Sequence, residues 1–353
     1  MHDSMPNCAN SAAAWETLVS IVECLLRFYS HSALAYGRLF LSLLFLGLLT
    51  AAGYGAWYVT TPMPMATAPL EFEIPAGTGL RAAVRRMQQA GVEMRPRLFG
   101  LLARALGHEP EIKAGFYELA APVTPLQLLD KLARGEVMQA ELQVIEGSTF
   151  GQLRAALDAS PVLRHDSAGL SDADLLKRVG VSEKHPEGLF FPDTYVFARG
   201  SSDLAVLRRA YRVMQAHLAQ EWKQRAADVP YKSAYEALVM ASIVEKETGR
   251  AEERDQVAGV LVNRLRIRMA LQADPTVIYG LGDKFDGNLK RVHLRTDGPY
   301  NTYTRPGLPP TPIALPGQAS LRAALQPAKI DAFYYVSRGD GTSQFSRTLR
   351  EHN

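Results

Sequence analysis

Ala241-Ser-Ile-Val-Glu-Lys-Glu-Thr-Gly249 is an apolar helix that turns acidic just before a glycine. It closes a helical stretch, Ser233 to Thr248, set between two others, Leu204 to Arg225 and Glu252 to Met269. This half of the chain should therefore be mostly helical. On a helix, Glu245 and Glu247 point about 200° apart, so they cannot serve one site as a pair. Glu247 shares a stripe with the apolar Met240, Ile243 and Val244, whereas Glu245 lines up with Ala241, Ser242 and Glu252. The negative end of a helix dipole disfavours a carboxylate and favours the protonated acid, the form a general acid needs. Arg250 and Arg254 act in the opposite sense, because a nearby guanidinium would hold Glu247 ionised. Which effect wins is left open, as is the plain alternative of a solvated helix-end carboxylate.

Downstream, Leu271-Gln-Ala-Asp-Pro-Thr-Val-Ile-Tyr-Gly280 is followed by Tyr300-Asn-Thr-Tyr303 and Gly307-Leu-Pro-Pro310. The amide and carboxyl groups of Gln272, Asp274 and Asn301 are interleaved with Tyr279 and Tyr303. Such a mixture suits a sugar site, with flat rings for pyranose faces and fixed polar groups for hydroxyls. The plainer alternative is that Asn301 and Asp274 satisfy loop backbone and the tyrosines pack. Asp274-Pro275 reads as a turn starter, and glycine and proline break the helical pattern from Leu271 until Ala319 to Leu325. A strand pair, Ala332 to Ser337 and Gln344 to Arg347, should flank the turn Arg338-Gly-Asp-Gly341.

Upstream, Leu70 to Ile74 alternates like a strand, and helices are expected over Leu80 to Ala90, Arg97 to Leu106 and Pro125 to Arg134. Short strands are expected at Gly115 to Leu119 and Ala140 to Ile145. Phe72-Glu-Ile-Pro-Ala-Gly-Thr and Gln143-Val-Ile-Glu-Gly-Ser-Thr echo each other as strand, glycine turn, hydroxyl cap and helix. The pattern suggests a small α/β module in the manner of LysM domains, which bind glycan chains. Ser160 to Gly200 reads as loop-rich.

Leu39 to Val59 carries no charged residue and is long enough to reach about 30 Å, the thickness of a bilayer core. Tyr54, Trp57 and Tyr58 suit an interfacial belt. Arg27 and Arg38 precede the span and no Lys or Arg follows until Arg81, which puts the N-terminus in the cytoplasm. A cleaved signal peptide ending near Ala66-Thr67-Ala68 is the competing reading. Ahead of the span, Trp15 to Tyr29 has helical periodicity that suits a membrane-surface helix or a poorly ordered tail. Thr60 to Pro69 reads as an extended Pro/Ala/Thr linker. Cys8 and Cys24 both precede the span, so the exported part has no disulfide framework. The eight histidines are scattered without metal-ligand spacing. A net charge of +3 without a basic, aromatic-studded run argues against nucleic acid.

Taken in order, Glu187-Gly-Leu-Phe-Phe-Pro-Asp-Thr-Tyr195, Ala241 to Thr248, Val262-Asn-Arg-Leu265, Asp274-Pro-Thr-Val-Ile-Tyr279, Tyr300 to Tyr303, Gly307 to Pro310 and His352-Asn353 resemble the YceG-like family of endolytic murein transglycosylases. The resemblance runs from about Phe72 to the end. It implies that Glu247, the second Glu of E-K-E, is the catalytic residue. Glu247 would protonate the oxygen between N-acetylmuramic acid and N-acetylglucosamine, then take the proton of the muramyl 6-hydroxyl as a 1,6-anhydro end closes, with no cofactor. Asn301 and Tyr303 would support the transition state, with Tyr279, Gln272 and Asp274 on the substrate. A segment longer than usual precedes the span, as a misplaced start codon would give, and relatives often continue beyond residue 353 with a further helix.

The expected architecture is α+β: a tail over 1–38, a transmembrane helix over 39–59, a linker over 60–69, a LysM-like module over 70–145, and a mostly helical catalytic domain with short strands over 146–353. The resemblance implies a lyase of cell-wall biogenesis or degradation in the cell inner membrane, its catalytic domain periplasmic. Expected partners are peptidoglycan strands, the membrane and the penicillin-binding proteins of wall synthesis. The alternatives are a water-using muramidase, with Glu187, Asp193 or Asp274 as second carboxylate, and a non-catalytic glycan-binding scaffold for synthases.

Overall fold

The computed structural model describes residues 11–107 and 112–353. The chain divides into a first compact unit that ends at Glu136 and a second that runs from Val137 to Asn353. Helix α1 (Ser11–Thr60) is continuous, so the Trp15 to Tyr29 stretch and the apolar span belong to one helix. Its Tyr36–Thr60 portion is long and apolar enough to cross a bilayer, as either an anchor or a signal sequence would be. Cys8, and the side chains of Cys24 and of Trp15 to Tyr29 other than Ser20 and Glu23, lie outside the described residues.

In the first unit, β1 (Leu70–Ile74) alternates buried and exposed residues. It pairs antiparallel with β2 (Gly115–Leu119), and Phe72 stacks on Tyr117 directly opposite. Between the strands run α2 (Leu80–Ala90) and α3 (Pro96–Ala105). Helix α4 (Pro125–Arg134) follows β2 and begins with a capping box, Thr124 and Gln127 each closing the other's backbone N–H. Leu70, Ile74, Met87, Phe99, Leu128 and Leu132 make the core. The 60–69 segment does not behave as a free linker. Met63 N–H donates to Val123 O, Ala66 N–H to Gly91 O and Glu93 N–H to Pro64 O, and the Met63 side chain is buried. An extended segment satisfies its backbone groups this way when a neighbouring turn offers donors and acceptors.

In the second unit, β3 (Gln139–Gln143) leads to α5 (Phe150–Asp158), α6 (Asp172–Val179) and β4 (Thr194–Ala198). β3 pairs with β4, so the strand expected to end the small module belongs to the second unit. Leu142 lies opposite the buried Tyr195, a cross-strand apolar pair that fixes the register. Helix α6 falls within the stretch read as loop. It is short, but Ser171 caps it and Gly180 ends it in the left-handed region.

Three longer helices follow: α7 (Asp203–Lys223), α8 (Ala234–Glu247) and α9 (Arg254–Arg266). Then come α10 (Asp274–Leu281), α11 (Arg291–Arg295), α12 (Gln318–Leu325), the antiparallel hairpin β5 (Tyr334–Ser337) and β6 (Ser343–Ser346), and α13 (Leu349–His352). The unit is thus mostly helical with short strand pairs. Helix α8 is its axis: every residue from Ala237 to Val244 is buried, packed mainly against α12 and also against α7, α9 and α10. Asp274-Pro275 opens α10 rather than a turn. Proline loses no bond in a first turn, and an aspartate complements the positive end of the helix.

Gly259 lets α9 approach the segment before β5. A Cβ there would stand 2.6 Å from the Ala328 carbonyl oxygen. Gly259→Ala is expected to cost about 1–3 kcal/mol through overpacking against rigid backbone, read as a lower midpoint in urea at unchanged m.

Candidate active site

The sequence of α8 places its two carboxylates in different surroundings. Ser242, buried, donates to Val239 O and accepts from Ile313 N–H at 3.0 Å, while Glu245 accepts from Gly317 N–H at 2.9 Å. Both therefore anchor the chain that enters α12. Glu245 also faces Glu146, whose pKa rises through burial and this second negative charge, with Arg254 opposing. Glu247, the last residue of α8, leaves from another side.

There the Tyr335 hydroxyl of β5 donates to Glu247 Oε2 at 2.8 Å. Oε1 has no contact with solvent and no hydrogen-bond partner among the described residues. Burial pushes the pKa of Glu247 up to about 7; the Tyr335 hydrogen bond lowers it, the Asp274 charge raises it and Arg264 lowers it. Arg250 instead donates to Gly341 O at 2.8 Å, and the charge of Arg254 acts on Glu146. Desolvation thus outweighs the cations that the sequence set against it. With Tyr335 donating to Oε2, the proton of the neutral acid belongs on Oε1.

Tyr335 reaches this position through the polar residues of the Val262-Asn-Arg-Leu265 segment. Asn263 Nδ2 donates to Ile330 O at 2.9 Å and Ala332 O at 3.1 Å. The buried Arg264 donates to Phe333 O at 2.6 Å and Leu271 O at 2.7 Å, and lies over the Tyr334 ring. One guanidinium therefore ties the strand that carries Tyr335 to the loop that leads into Asp274. The hairpin is held from the other side by Ser343 N–H, which donates to Glu253 Oε1 at 2.8 Å. Spacing could not reveal Tyr335, which lies 88 residues from its partner. The available signal was a pair of polar residues inside an apolar helix, since a buried guanidinium must have acceptors.

The remaining sequence candidates separate into two groups. Asp274, exposed, accepts from the Tyr303 hydroxyl, and the charges of both reach Glu247 or are reached by it. Burial and the Asp274 carboxylate raise the Tyr303 pKa, so the phenol is protonated. Gln272 lies two residues away with an exposed side chain and a φ of 51°, in the left-handed region that non-glycine residues rarely adopt. Its N–H donates to Thr302 O, and the buried Thr276 and Thr302 hydroxyls meet at 2.9 Å.

Asn301 and Tyr279 are used internally. Asn301 is buried; its Nδ2 donates to His293 O, Leu294 O and Thr296 O, while Oδ1 accepts from Tyr303 N–H at 2.9 Å. It positions Tyr303, and its donors are taken by backbone carbonyls. Tyr279 packs edge-on to Tyr300 and donates to Glu187 Oε2 at 3.1 Å. Glu187 also accepts from Phe150 N–H at 2.9 Å; burial lifts its pKa to about 7 and these donors oppose the rise. Asp193 accepts from its neighbour's N–H, Thr194, at 2.7 Å. Among the described residues, no three His, Cys, Asp or Glu side chains group as a metal ion would require.

An enclosed carboxylic acid with one phenol donor, a second phenol and a carboxylate nearby has the chemistry of proton transfer by a single acid. The chain belongs to the YceG-like family, whose sequence model matches residues 72–353. A protein of Bacillus subtilis described as an endolytic murein transglycosylase is 30% identical over 306 residues, covering 80% of this chain and 83% of that protein. One of Streptococcus pneumoniae with the same description is 26% identical over 350 residues, covering 88% of this chain and 63% of that protein. The crystal structure of a yceG-like protein from Listeria monocytogenes superposes with a TM-score of 0.50 at 30% identity, over 80% of this chain and 97% of that one.

The raised pKa fixes the sign of a stability effect. Below the unfolded value near 4.5 Glu247 is protonated in both states and costs nothing; the cost grows as pH rises and is complete above about 7. Glu247→Gln should therefore melt higher than the native protein at pH 8.5, by an amount on the order of 3 kcal/mol at most. At pH 4.5 the two should nearly coincide, as calorimetry would show.

Proposed function

We propose that the chain is an endolytic murein transglycosylase in which Glu247 acts first as acid and then as base. The observation that carries this reading is the enclosed carboxyl with a pKa of about 7, placed at the end of α8 in a chain of this family. Protonated Glu247 gives its Oε1 proton to the oxygen that joins muramic acid C1 to the next glucosamine, and the C1–O bond breaks with that electron pair on the leaving sugar. The carboxylate left behind takes the proton of the muramyl 6-hydroxyl while O6 bonds to C1. One proton enters and one returns, no water is consumed, and a 1,6-anhydro end results. Asp274 and Tyr303 carry negative charge and a polar oxygen towards the developing oxocarbenium. Because Oε1 is closed to solvent, a sugar reaches it only when a neighbouring side chain swings aside.

We assign the β1–α2–α3–β2 unit to glycan holding in the manner of a LysM module, and the Tyr36–Thr60 helix to a single-pass inner-membrane anchor with the rest of the chain periplasmic. Wall-synthesis enzymes, penicillin-binding proteins among them, are the proposed partners. A water-using muramidase is the second reading, and one observation favours it: the Asp274 charge reaches Glu247, as a second carboxylate would. Glu187 suits that role less, since both of its oxygens are already used.

Mass spectrometry of peptidoglycan fragments separates these readings. Anhydro-ended internal fragments, lost in Glu247→Gln, are expected; reducing ends would give the muramidase, and intact strands from folded protein would remove catalysis altogether. The rate should fall as pH rises through about 7, because the acid must be protonated. Tyr335→Phe removes a bond that favours the carboxylate, so its falling limb should move to higher pH. An unmoved limb would sink the assignment of Glu247 as the titrating acid.

A further inference from the structure

The end of the apolar span is built into the first unit rather than hung from it. Arg95, at the N-cap of α3, places its guanidinium 5.6 Å from the centre of the Tyr54 ring, and the Tyr58 hydroxyl donates to Arg95 O at 3.4 Å. Leu98, Leu101, Leu102 and Ala105 of α3 face Tyr54, Tyr58 and Val59 of α1 across a cavity of about 340 Å³. Beyond the span, the bonds of Met63, Pro64 and Ala66 to the first unit leave no slack. About 20 helical residues cross a bilayer core, and Tyr36–Thr60 has 25. The turn that carries Tyr54, Trp57 and Tyr58 therefore falls at headgroup level, where such rings prefer to sit. Helix α3, tied to that turn through Arg95 at its N-cap, is held at the same level.

Alongside it, α2 and α3 enclose a groove of about 500 Å³. Leu80 and Val84 line its apolar part, Arg81, Arg85, Arg97 and Arg104 surround it, and among the described residues no carboxylate lines it. Arg97, Leu101 and Arg104 follow one another at helical spacing, so they share a stripe. Leu101 is 59% exposed and Leu106, just beyond the helix, 45%. Exposed leucines among arginines, continuous with a membrane span, match an interfacial helix. A glycan-binding groove would instead offer aromatic rings, which this one lacks among the described residues, and its one amide, Gln88, already donates to Met94 O at 3.2 Å, so glycan holding by this unit falls to another face.

We propose that the α2–α3 face docks on the bilayer that holds the span, Arg81, Arg85 and Arg97 on the phosphates of anionic phospholipids and Leu101 at the acyl boundary. This holds whatever reaction the second unit catalyses. It rests on the span being retained as an anchor.

The test uses the full chain with Cys8→Ser and Cys24→Ser and a nitrobenzoxadiazole label on Leu101→Cys. The protein is reconstituted in vesicles of phosphatidylcholine, with or without phosphatidylglycerol. With phosphatidylglycerol, the label should shift to the blue and be quenched by nitroxide lipid. Both effects should be lost when Arg81, Arg85 and Arg97 are changed to Gln. A label that stays water-like and open to aqueous iodide in both vesicles would overturn the proposal. So would shielding that appears only on adding soluble peptidoglycan fragments, which would make the groove a wall-binding site. Mass measurement of chains recovered from cell membranes checks the premise separately: loss of the residues before Pro69 would remove the anchor and the proposal with it, while the fragment assay stands unaffected.

Discussion

The second unit is organised by the exclusion of water from the end of α8. A carboxyl in water gives up its proton far below neutrality; enclosed, it keeps it, because the charged form loses hydration that the surrounding groups replace only in part. For Glu247 the replacement is one phenol hydrogen bond and the charge of a guanidinium whose Nε and Nη1 donate to backbone carbonyls. That balance leaves the pKa near 7. Each neighbour then has a definite effect. Ser242 and Glu245 hold the chain entering α12 against one side of the helix, and the segment before β5 is drawn in by Asn263 and Arg264.

Glu187 makes an informative comparison, because burial raises its pKa to about 7 as well. Its oxygens accept from Phe150 N–H and the Tyr279 hydroxyl, so the carboxyl joins α5, its own loop and α10. Glu247 has an oxygen without any partner. Similarly raised pKa values therefore coexist with different surroundings, and the hydrogen-bond inventory tells the two carboxyls apart where the pKa alone does not.

Much of this was legible in the chain. The strands at 70–74 and 115–119 and the helix at 125–134 occur where alternation and capping residues predicted them. Helix α8 and its acidic end were equally plain, since periodicity, an N-cap and a terminal glycine are local signals. What could not be read was pairing over long separations. The β3 strand looked like the end of the small module because its partner, β4, begins 51 residues after Gln143. Asn301 looked like a ligand for sugars, yet its donors hold the turns at His293, Leu294 and Thr296. Asp274-Pro275 looked like a turn because the same residues that start turns also start helices. Tyr335 drew no notice within an ordinary hairpin.

The clasp around Glu247 also has an order in time. Glu247, Arg264, Asp274 and Tyr303 all precede Tyr335 in the chain, and the hairpin is synthesised after every other part of the site. While residues 330–346 are still to come, Arg264 lacks its Phe333 acceptor and Glu247 lacks its donor. A nascent or truncated chain thus carries the carboxylate without the enclosure that keeps it protonated, and the acid is assembled only once synthesis has passed the hairpin.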